Sequence, residues 1–365
     1  MFGFKHYVPI LKWKRAEQNA LGALSDAQKR DITPLIQFVM PKPKSSDSPQ
    51  RQFAFVTEKF REKMPQLSQQ ILKSWGFSPI FFDVSLLYTT PLKAECVQAV
   101  MASGHSLGMG LIPVLHLDDD TELRDTIRSS AQKCSSGICL RLIPHDLDNI
   151  AQLNGEIKSF LKWSHLAEAD VDLLVDTKEI KEDGSYAAYV NASQRIYNLS
   201  RWRTFIFASG AFPEDLMQYK IDEENLVPRV DWKNWLNQLR GNDAVRKPTY
   251  ADYTIQHPIY KETSQFFHPT TSIRYALKDA WLIMKGRKQR FELYLANAKL
   301  LAGDRSRFFG DEFSYGDKYI AEKAKHYAVY IKNPEVKGTG STESWLTAGI
   351  NHHLALTAHQ IANLP

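Results

Sequence analysis

Charged and polar side chains stand at or just beyond the ends of several apolar, β-rich runs of the sequence. The set consists of Lys12, Lys14, Glu17, Asp83, His116, Arg141, Asp176 and Asp252. If these side chains converge, Lys12 and Arg141 could bind a phosphate group. The carboxylates of Asp83, Asp176 and Asp252 could hold a divalent cation. His116 could transfer protons as a general acid or base.

A structural role explains the same residues. Charged groups at strand ends also form ion pairs with one another or hydrogen-bond the backbone of loops, and the open end of a barrel needs polar residues to close it. Catalysis, binding of a ligand or partner without turnover, and a purely structural role therefore stay open as alternatives.

A second polar group lies near the C-terminus. It comprises Trp345, Asn351, His352 and His353. We interpret Asn351 as the N-cap of a helix that begins at His352. On such a helix the two histidines point about 100° apart, so they cannot share one ligand site, and we expect no metal there. His353 is then either buried and hydrogen-bonded against the rest of the chain, or in contact with a partner or ligand.

The local motifs that usually indicate an activity are missing from the sequence. It contains no GxGxxG after a strand, no GxxxxGK[ST] and no HExxH. The string GHSLG at 104–108 has the GxSxG spacing, but it precedes a predicted strand, whereas the nucleophile motif follows one. The cofactor is therefore unknown, and whether the protein is an enzyme stays open. The basic segment at 285–290 (KGRKQR) could face nucleic acid, although a solvated helix junction explains it as well.

Composition is that of an ordinary globular chain. Of 365 residues, 46 are Lys or Arg and 41 are Asp or Glu, so the formal net charge is +5. Such nearly matched charges do not indicate a nucleic-acid binder. No apolar run reaches the roughly 20 residues that a membrane span needs. Three cysteines without metal-ligand spacing favour reduced thiols, and we expect a cytoplasmic protein without a membrane.

Eight short apolar, β-rich runs recur along the first two thirds of the chain. They cover residues 7–12, 32–39, 79–84, 109–116, 138–143, 171–176, 204–208 and 250–256. Most are continuously apolar, which is typical of strands buried on both faces. Segments with apolar residues at three- and four-residue spacing separate them, as amphipathic helices do. Eight such units in about 260 residues predict a (β/α)8, TIM-like barrel. A doubly wound open sheet would explain the alternation but not the number of strands.

The pattern changes after residue 265. Four segments, at 272–285, 289–302, 318–332 and 345–361, have helical spacing without intervening strands. We therefore expect the barrel in residues 1–285, with the helix at 272–285 as its eighth. Residues 286–365 should form a helical C-terminal extension that docks on the barrel, because its apolar faces need cover. Side chains at the C-terminal strand ends would then converge on one mouth of the barrel.

Four stretches of the chain resemble the "beta protein" family of bacteria and prophages. They are the opening YVPILKWKRAEQNAL, then ITPLIQF, YADYTIQHP and the closing SWLTAGINHHLALTAHQ. Most of the resemblance is carried by Pro9, Lys12, Lys14, Glu17, Leu21, Asp252–Tyr253 and Asn351–His352–His353. It covers nearly the whole chain and contains no catalytic signature.

The resemblance implies a role in phage defence. The family is named for a gene of a satellite phage, where it lies beside the growth inhibitor Gop and a small regulatory protein. That cassette resembles a toxin–antitoxin module. The expected partner is therefore a protein encoded nearby, a Gop-like toxin or small regulator, which this protein would bind and restrain or gate. The alternative is an enzyme that acts on a phosphate-bearing small molecule or nucleotide at the barrel mouth.

Overall fold

Eight parallel strands form a closed barrel in the computed structural model, which describes residues 2–43, 48–181, 184–241, 244–261, 270–335 and 337–364. The barrel strands are β1 (Tyr7–Lys12), β2 (Leu35–Gln37), β3 (Ile80–Asp83), β4 (Leu111–Leu115), β5 (Ile138–Leu142), β6 (Val171–Glu179), β7 (Thr204–Gly210) and β9 (Thr249–Asp252). Each run predicted from the sequence supplies one of them. The (β/α)8 barrel is therefore confirmed.

Helices separate the barrel strands along the chain. They are α1 (Arg15–Gly22), α2 (Asp26–Lys29), α3 (Pro49–Lys63), α4 (Leu67–Trp75), α5 (Thr90–Ser106), α6 (Thr121–Cys134), α7 (Ile150–Ser164), α8 (Ser185–Ser193) and α9 (Val230–Arg240). Several begin at residues that suit a helix start. Thr89 accepts the backbone N–H of Leu92 ahead of α5, and Asn149 accepts that of Gln152 ahead of α7. These caps fix where α5 and α7 begin.

Apolar side chains fill the inside of the barrel. They are Val8, Ile10, Leu35, Phe81, Val114, Cys139, Leu174, Ile206, Ala208, Ala251 and Tyr253. Because side chains alternate along a strand, the next inward position is two residues further on. On β1, β3 and β5 that position is Lys12, Asp83 and Arg141. The apolar interior therefore ends in a polar layer at the mouth, the end where the C-termini of the strands lie.

A separate three-stranded antiparallel sheet replaces the helix predicted at 272–285. Its strands are β8 (Glu224–Pro228), β10 (Thr270–Ala276) and β11 (Ala280–Lys288), in the order β10-β11-β8. The prediction of one helix at 272–285 is therefore wrong. It arose because the turn at 277–279 contains neither glycine nor proline, so the apolar spacing shows no break between the two strands. A continuous apolar run such as Trp281–Met284 suits a strand as well as a helix, and pairing with β8 decides between them.

Three helices end the chain: α10 (Glu292–Gly303), α11 (Tyr315–Lys332) and α12 (Thr342–Ala362). The docked helical extension is confirmed, and the division at residue 285 stays a prediction. Helix α12 packs on α1 and β1 as well as on β10 and α11. Since β1 and β9 are neighbours in the barrel, α12 occupies the place of an eighth barrel helix. In the described part of the chain, no helix has the length and apolar character needed to cross a membrane.

Asn351 lies in the middle of α12, so its interpretation as an N-cap is wrong. The helix begins nine residues earlier, where the Ser341 side chain accepts the backbone N–H of Ser344. The buried Asn351 amide instead donates to the carbonyl of Ala20 and accepts the N–H of Gly316, each at 3.0 Å. A polar residue in mid-helix is explained here by the two neighbouring elements that it joins.

Candidate functional site at the mouth of the barrel

Arg141 of β5 is the centre of a fully buried group of charges in the mouth. Its Nε and Nη2 donate to Oδ2 of Asp176 at 3.0 and 2.6 Å, and its Nη1 donates to Asp83. Nη2 also donates to the hydroxyl of Tyr253 at 2.9 Å, and that hydroxyl donates to Asp176 at 2.7 Å. We call these four side chains the charge cluster. Since all three Arg141 nitrogens are bonded inside the protein, the guanidinium is not presented to a ligand.

Both carboxyl groups of the charge cluster are ionised at neutral pH. Burial by itself would raise the pKa of Asp83, but contacts with His116 and Arg141 hold that pKa well below its ordinary value. Burial opposes a low pKa at Asp176 too, and there Lys178 and Arg141 overcome it. His116 Nε2 lies 3.5 Å from Asp83 Oδ2, so His116 joins the cluster at its edge.

Gln37, Lys178 and Tyr253 also belong to the mouth, although the set of converging side chains predicted from the sequence did not include them. Gln37 donates to Asp83 Oδ2 at 3.3 Å, and Lys178 Nζ lies 2.8 Å from Asp176 Oδ2. Strand alternation was the available signal for two of them. Gln37 follows the inward Leu35 by two residues, and Tyr253 follows the inward Ala251 by two.

Lys12 lies in the mouth without a carboxylate partner among the described residues. Its Nζ donates to the carbonyl of His257 at 3.2 Å and lies 4.7 Å from the centre of the Tyr253 ring. The side chain is 2% exposed. Burial, helped by the positive charges of Arg141 and Lys178, lowers the pKa of Lys12 to about 7. At neutral pH the amine is therefore partly deprotonated, unlike an ordinary lysine.

Glu17 and Lys14 contact the segment that follows β9. Glu17 is buried on α1, where its Oε1 accepts from Gln256 at 2.6 Å and its Oε2 has no hydrogen-bond partner within the described ranges. Burial raises the pKa of Glu17. Lys14 Nζ lies 4.5 Å from the centre of the Tyr260 ring. These two predicted residues border the mouth and hold the segment after β9 against α1.

Asp252 does not join the mouth, which corrects the sequence prediction. It lies between Ala251 and Tyr253, whose side chains face inward, so its own side chain faces outward. Its Oδ1 accepts from the Tyr7 hydroxyl at 2.5 Å, and its Oδ2 accepts from His353 Nε2 at 2.8 Å. Asp83, Asp176 and Asp252 therefore cannot share a cation. No group of three or more possible metal ligands comes together among the described residues.

His353 closes α12 against the barrel, as one of the two sequence interpretations predicted. The Trp281 indole N–H donates to its Nδ1 at 3.4 Å, so the ring proton is on Nε2 and is shared with Asp252. Burial lowers the pKa of His353, whereas contact with His353 outweighs burial and lowers that of Asp252. At neutral pH the pair thus consists of a neutral imidazole hydrogen-bonded to an ionised carboxylate.

The other C-terminal candidates also make contacts inside the chain. His352 faces away from His353, as predicted, with its Nδ1 2.8 Å from Asp317 and its Nε2 2.8 Å from the carbonyl of Ala276. The Trp345 ring stacks on Tyr294 at a centre-to-centre distance of 4.8 Å. These residues hold the extension together.

We expect His353 to lower the free energy of unfolding as the pH drops below about 6.5. An unfolded histidine binds a proton there, whereas folded His353 stays neutral because its pKa is lowered, so acid favours the unfolded state. In urea unfolding between pH 7.5 and 5, His353 should contribute a slope of roughly 1 kcal/mol per pH unit, which buried Asp231 opposes because burial raises its pKa to about 7. His6, whose pKa burial lowers to about 4, adds to the same slope.

The variant His353→Gln should flatten this slope, and His105→Gln at an exposed position should leave it unchanged. Equal slopes in the two variants would contradict a buried, neutral His353.

The basic segment at 285–290 consists of the end of β11 and the start of the exposed connection to α10. Lys285 is buried and donates to the carbonyl of Tyr219 at 3.1 Å. Arg287 pairs with Asp222, and Arg290 pairs with Glu292. Two of the four charges are thus paired with carboxylates and a third is buried, which gives no support to nucleic-acid binding there.

The chain has a closed (β/α)8 barrel with a charge cluster in its mouth, and the C-terminal helix α12 completes the ring of helices around the barrel. It therefore belongs to the class of TIM-type barrels with a docked C-terminal extension. Within that class it belongs to the Beta protein family, whose model matches residues 7–359.

Two kinds of solved structure are similar to this chain. A mutant tryptophan synthase alpha-subunit from Pyrococcus furiosus is 13% identical with a TM-score of 0.40, covering 69% of this chain and 89% of that one. A type I 3-dehydroquinate dehydratase from Clostridium difficile is 10% identical with a TM-score of 0.39, covering 70% and 87%. Neither likeness says what this chain binds or does. No curated protein sequence matches it.

Proposed function

We propose that the protein is a binding component of a phage-defence, toxin–antitoxin-like module and restrains or gates a cognate toxic partner. The choice of module rests on the gene neighbourhood that the resemblance to the family implies, and the match to the Beta protein family model supports that resemblance. The observation that supports binding over catalysis is the charge cluster, in which Arg141 pairs with both Asp83 and Asp176 without exposure. Buried ion pairs of this kind fix the structure of the mouth, whereas catalysis needs a base or nucleophile within reach of a substrate.

The test is expression together with the neighbouring genes. Cells carrying the toxic neighbour should grow only when this protein is also produced, and the two proteins should copurify as a stable complex. An unrelated barrel protein produced at the same level is the control and should give neither result. If this protein also fails to restore growth and to form a complex, the proposal is wrong.

A second candidate function is an enzyme that acts on a phosphate-bearing small molecule or nucleotide at the mouth. The observation in its favour is the Lys12 amine, which has no carboxylate partner among the described residues and a pKa of about 7. An amine with that pKa can accept and return a proton at neutral pH. Next to Arg141 and Lys178 it would also attract a phosphate group.

If the mouth binds phosphate, its affinity should fall as the pH rises through about 7, because Lys12 loses its charge there. Replacing Lys12 with methionine should abolish binding and raise the free energy of unfolding by about 1–3 kcal/mol, since a buried cation without a carboxylate is removed. Calorimetry with inorganic phosphate and urea unfolding would measure the two effects. Lys73→Met at an exposed position of α4 is the control. Phosphate affinity that is unchanged in Lys12→Met would exclude this site.

A further inference from the structure

A groove of about 450 Å³ lies beside the mouth, between the loops that follow β1 and β2 and the helices α3 and α4. Its charged lining residues are all cations: Lys14, Arg15, Lys42 and Lys63. Its volume is in the range of small-molecule sites. The groove is distinct from the mouth because Trp13, which lines it, points to the opposite face of the chain from the inward Lys12.

Part of the positive charge in the groove is uncompensated. Neither Lys42 nor Lys63 makes an ion pair with any residue that the structure describes, and Arg15 meets Glu343 only at 3.4 Å on an exposed surface. Lys14 lies over the ring of Tyr260. With no carboxylate in the lining, the groove favours an anion.

Trp13 provides a second, independent indication of a ligand. The side chain is 6% exposed, yet its indole N–H has no hydrogen-bond acceptor within the described ranges. A buried donor without a partner costs about 1–3 kcal/mol, which a bound acceptor would recover. Phe38 and Phe60 add two further aromatic side chains to the lining, and three glutamines supply amide donors and acceptors.

We propose that this groove binds a nucleoside phosphate. The cations would hold the phosphate, and the aromatic and amide side chains would contact the base, because bases stack on aromatic rings and hydrogen-bond to amides. An inorganic anion would use the cations alone. The groove is thus a ligand site outside the barrel mouth, and it does not depend on the proposed toxic partner.

The experiment titrates the protein with adenosine 5′-monophosphate, adenosine and inorganic phosphate at low salt, and calorimetry measures each affinity. The nucleotide should bind more tightly than either of its parts. Lys63→Glu should weaken nucleotide binding by about tenfold or more. Lys73→Glu, which changes the net charge equally from an exposed position on α4, should change it by no more than about twofold.

Trp13→Phe removes the indole N–H but keeps an aromatic ring, and should weaken the nucleotide more than inorganic phosphate. Equal losses in Lys63→Glu and Lys73→Glu would mean unspecific attraction and would overturn the proposal, as would the absence of nucleotide binding. If Lys12→Met loses nucleotide binding and Lys63→Glu keeps it, the nucleotide binds in the mouth. That result rejects the groove and supports the second candidate function instead.

Discussion

Replacing Arg141 with methionine should lower the free energy of unfolding by about 3–5 kcal/mol. The two carboxylates of the charge cluster, Asp83 and Asp176, are at most 1% exposed and would lose their shared counter-ion. A loss of that size is a large part of the roughly 5–15 kcal/mol by which folded proteins are stable. Urea unfolding at pH 7 measures it directly.

Two comparisons separate the charge effect from a loss of packing. Arg61→Met breaks the exposed pair with Glu95, in which both side chains are 44% exposed, and should cost far less than Arg141→Met. Adding Asp83→Asn and Asp176→Asn to Arg141→Met should restore part of the lost stability, because the unpaired charges disappear. If Arg141→Met costs no more than Arg61→Met, the charge cluster does not hold the mouth together.

Replacing Asp252 with asparagine should lower the free energy of unfolding by about 2–4 kcal/mol and loosen α12. The fully buried carboxylate accepts four donors: the hydroxyls of Tyr7 and Tyr250, the backbone N–H of Thr254 and the ring N–H of His353. An amide has one acceptor oxygen and would turn its own N–H groups toward some of these donors. Urea unfolding and hydrogen exchange along α12 measure the two consequences.

Tyr7→Phe is the matched control, since it removes one donor from the same carboxylate and leaves its charge. It should cost about 1 kcal/mol and leave exchange in α12 nearly unchanged. Equal costs for Asp252→Asn and Tyr7→Phe would show that the Asp252–His353 pair does not fasten the C-terminal helix.

Part of the candidate site was open to prediction from the sequence. Lys12, Asp83, Arg141 and Asp176 follow apolar runs at strand ends, and the C-terminal ends of barrel strands meet at one mouth. Their convergence follows from the number and spacing of strands. The pairing of Arg141 with Asp83 and Asp176 does not, because it depends on distances between side chains that lie far apart in the chain.

The direction of Asp252 could not be predicted in the same way. Strands of a parallel barrel are buried on both faces, so their continuously apolar runs do not mark which residues face inward. A shift of one residue turns a side chain from the mouth to the outer helices. The outward position of Asp252 became clear only from its contacts with Tyr7 and with His353 of α12.

In the C-terminal third, too, some elements could be predicted from local sequence and others depended on tertiary contacts. Local spacing determined that α10, α11 and α12 are helices, since apolar residues at three- and four-residue intervals need no distant partner to be recognised. The hairpin of β10 and β11 was missed because a strand is stabilised by its neighbours, and β8 lies more than 50 residues away in the chain. Local pattern thus determined the eight-stranded barrel and the late helices. Tertiary structure alone decided which charges are paired, which strand face is inside and which helix closes the ring, because these depend on contacts between residues distant in sequence.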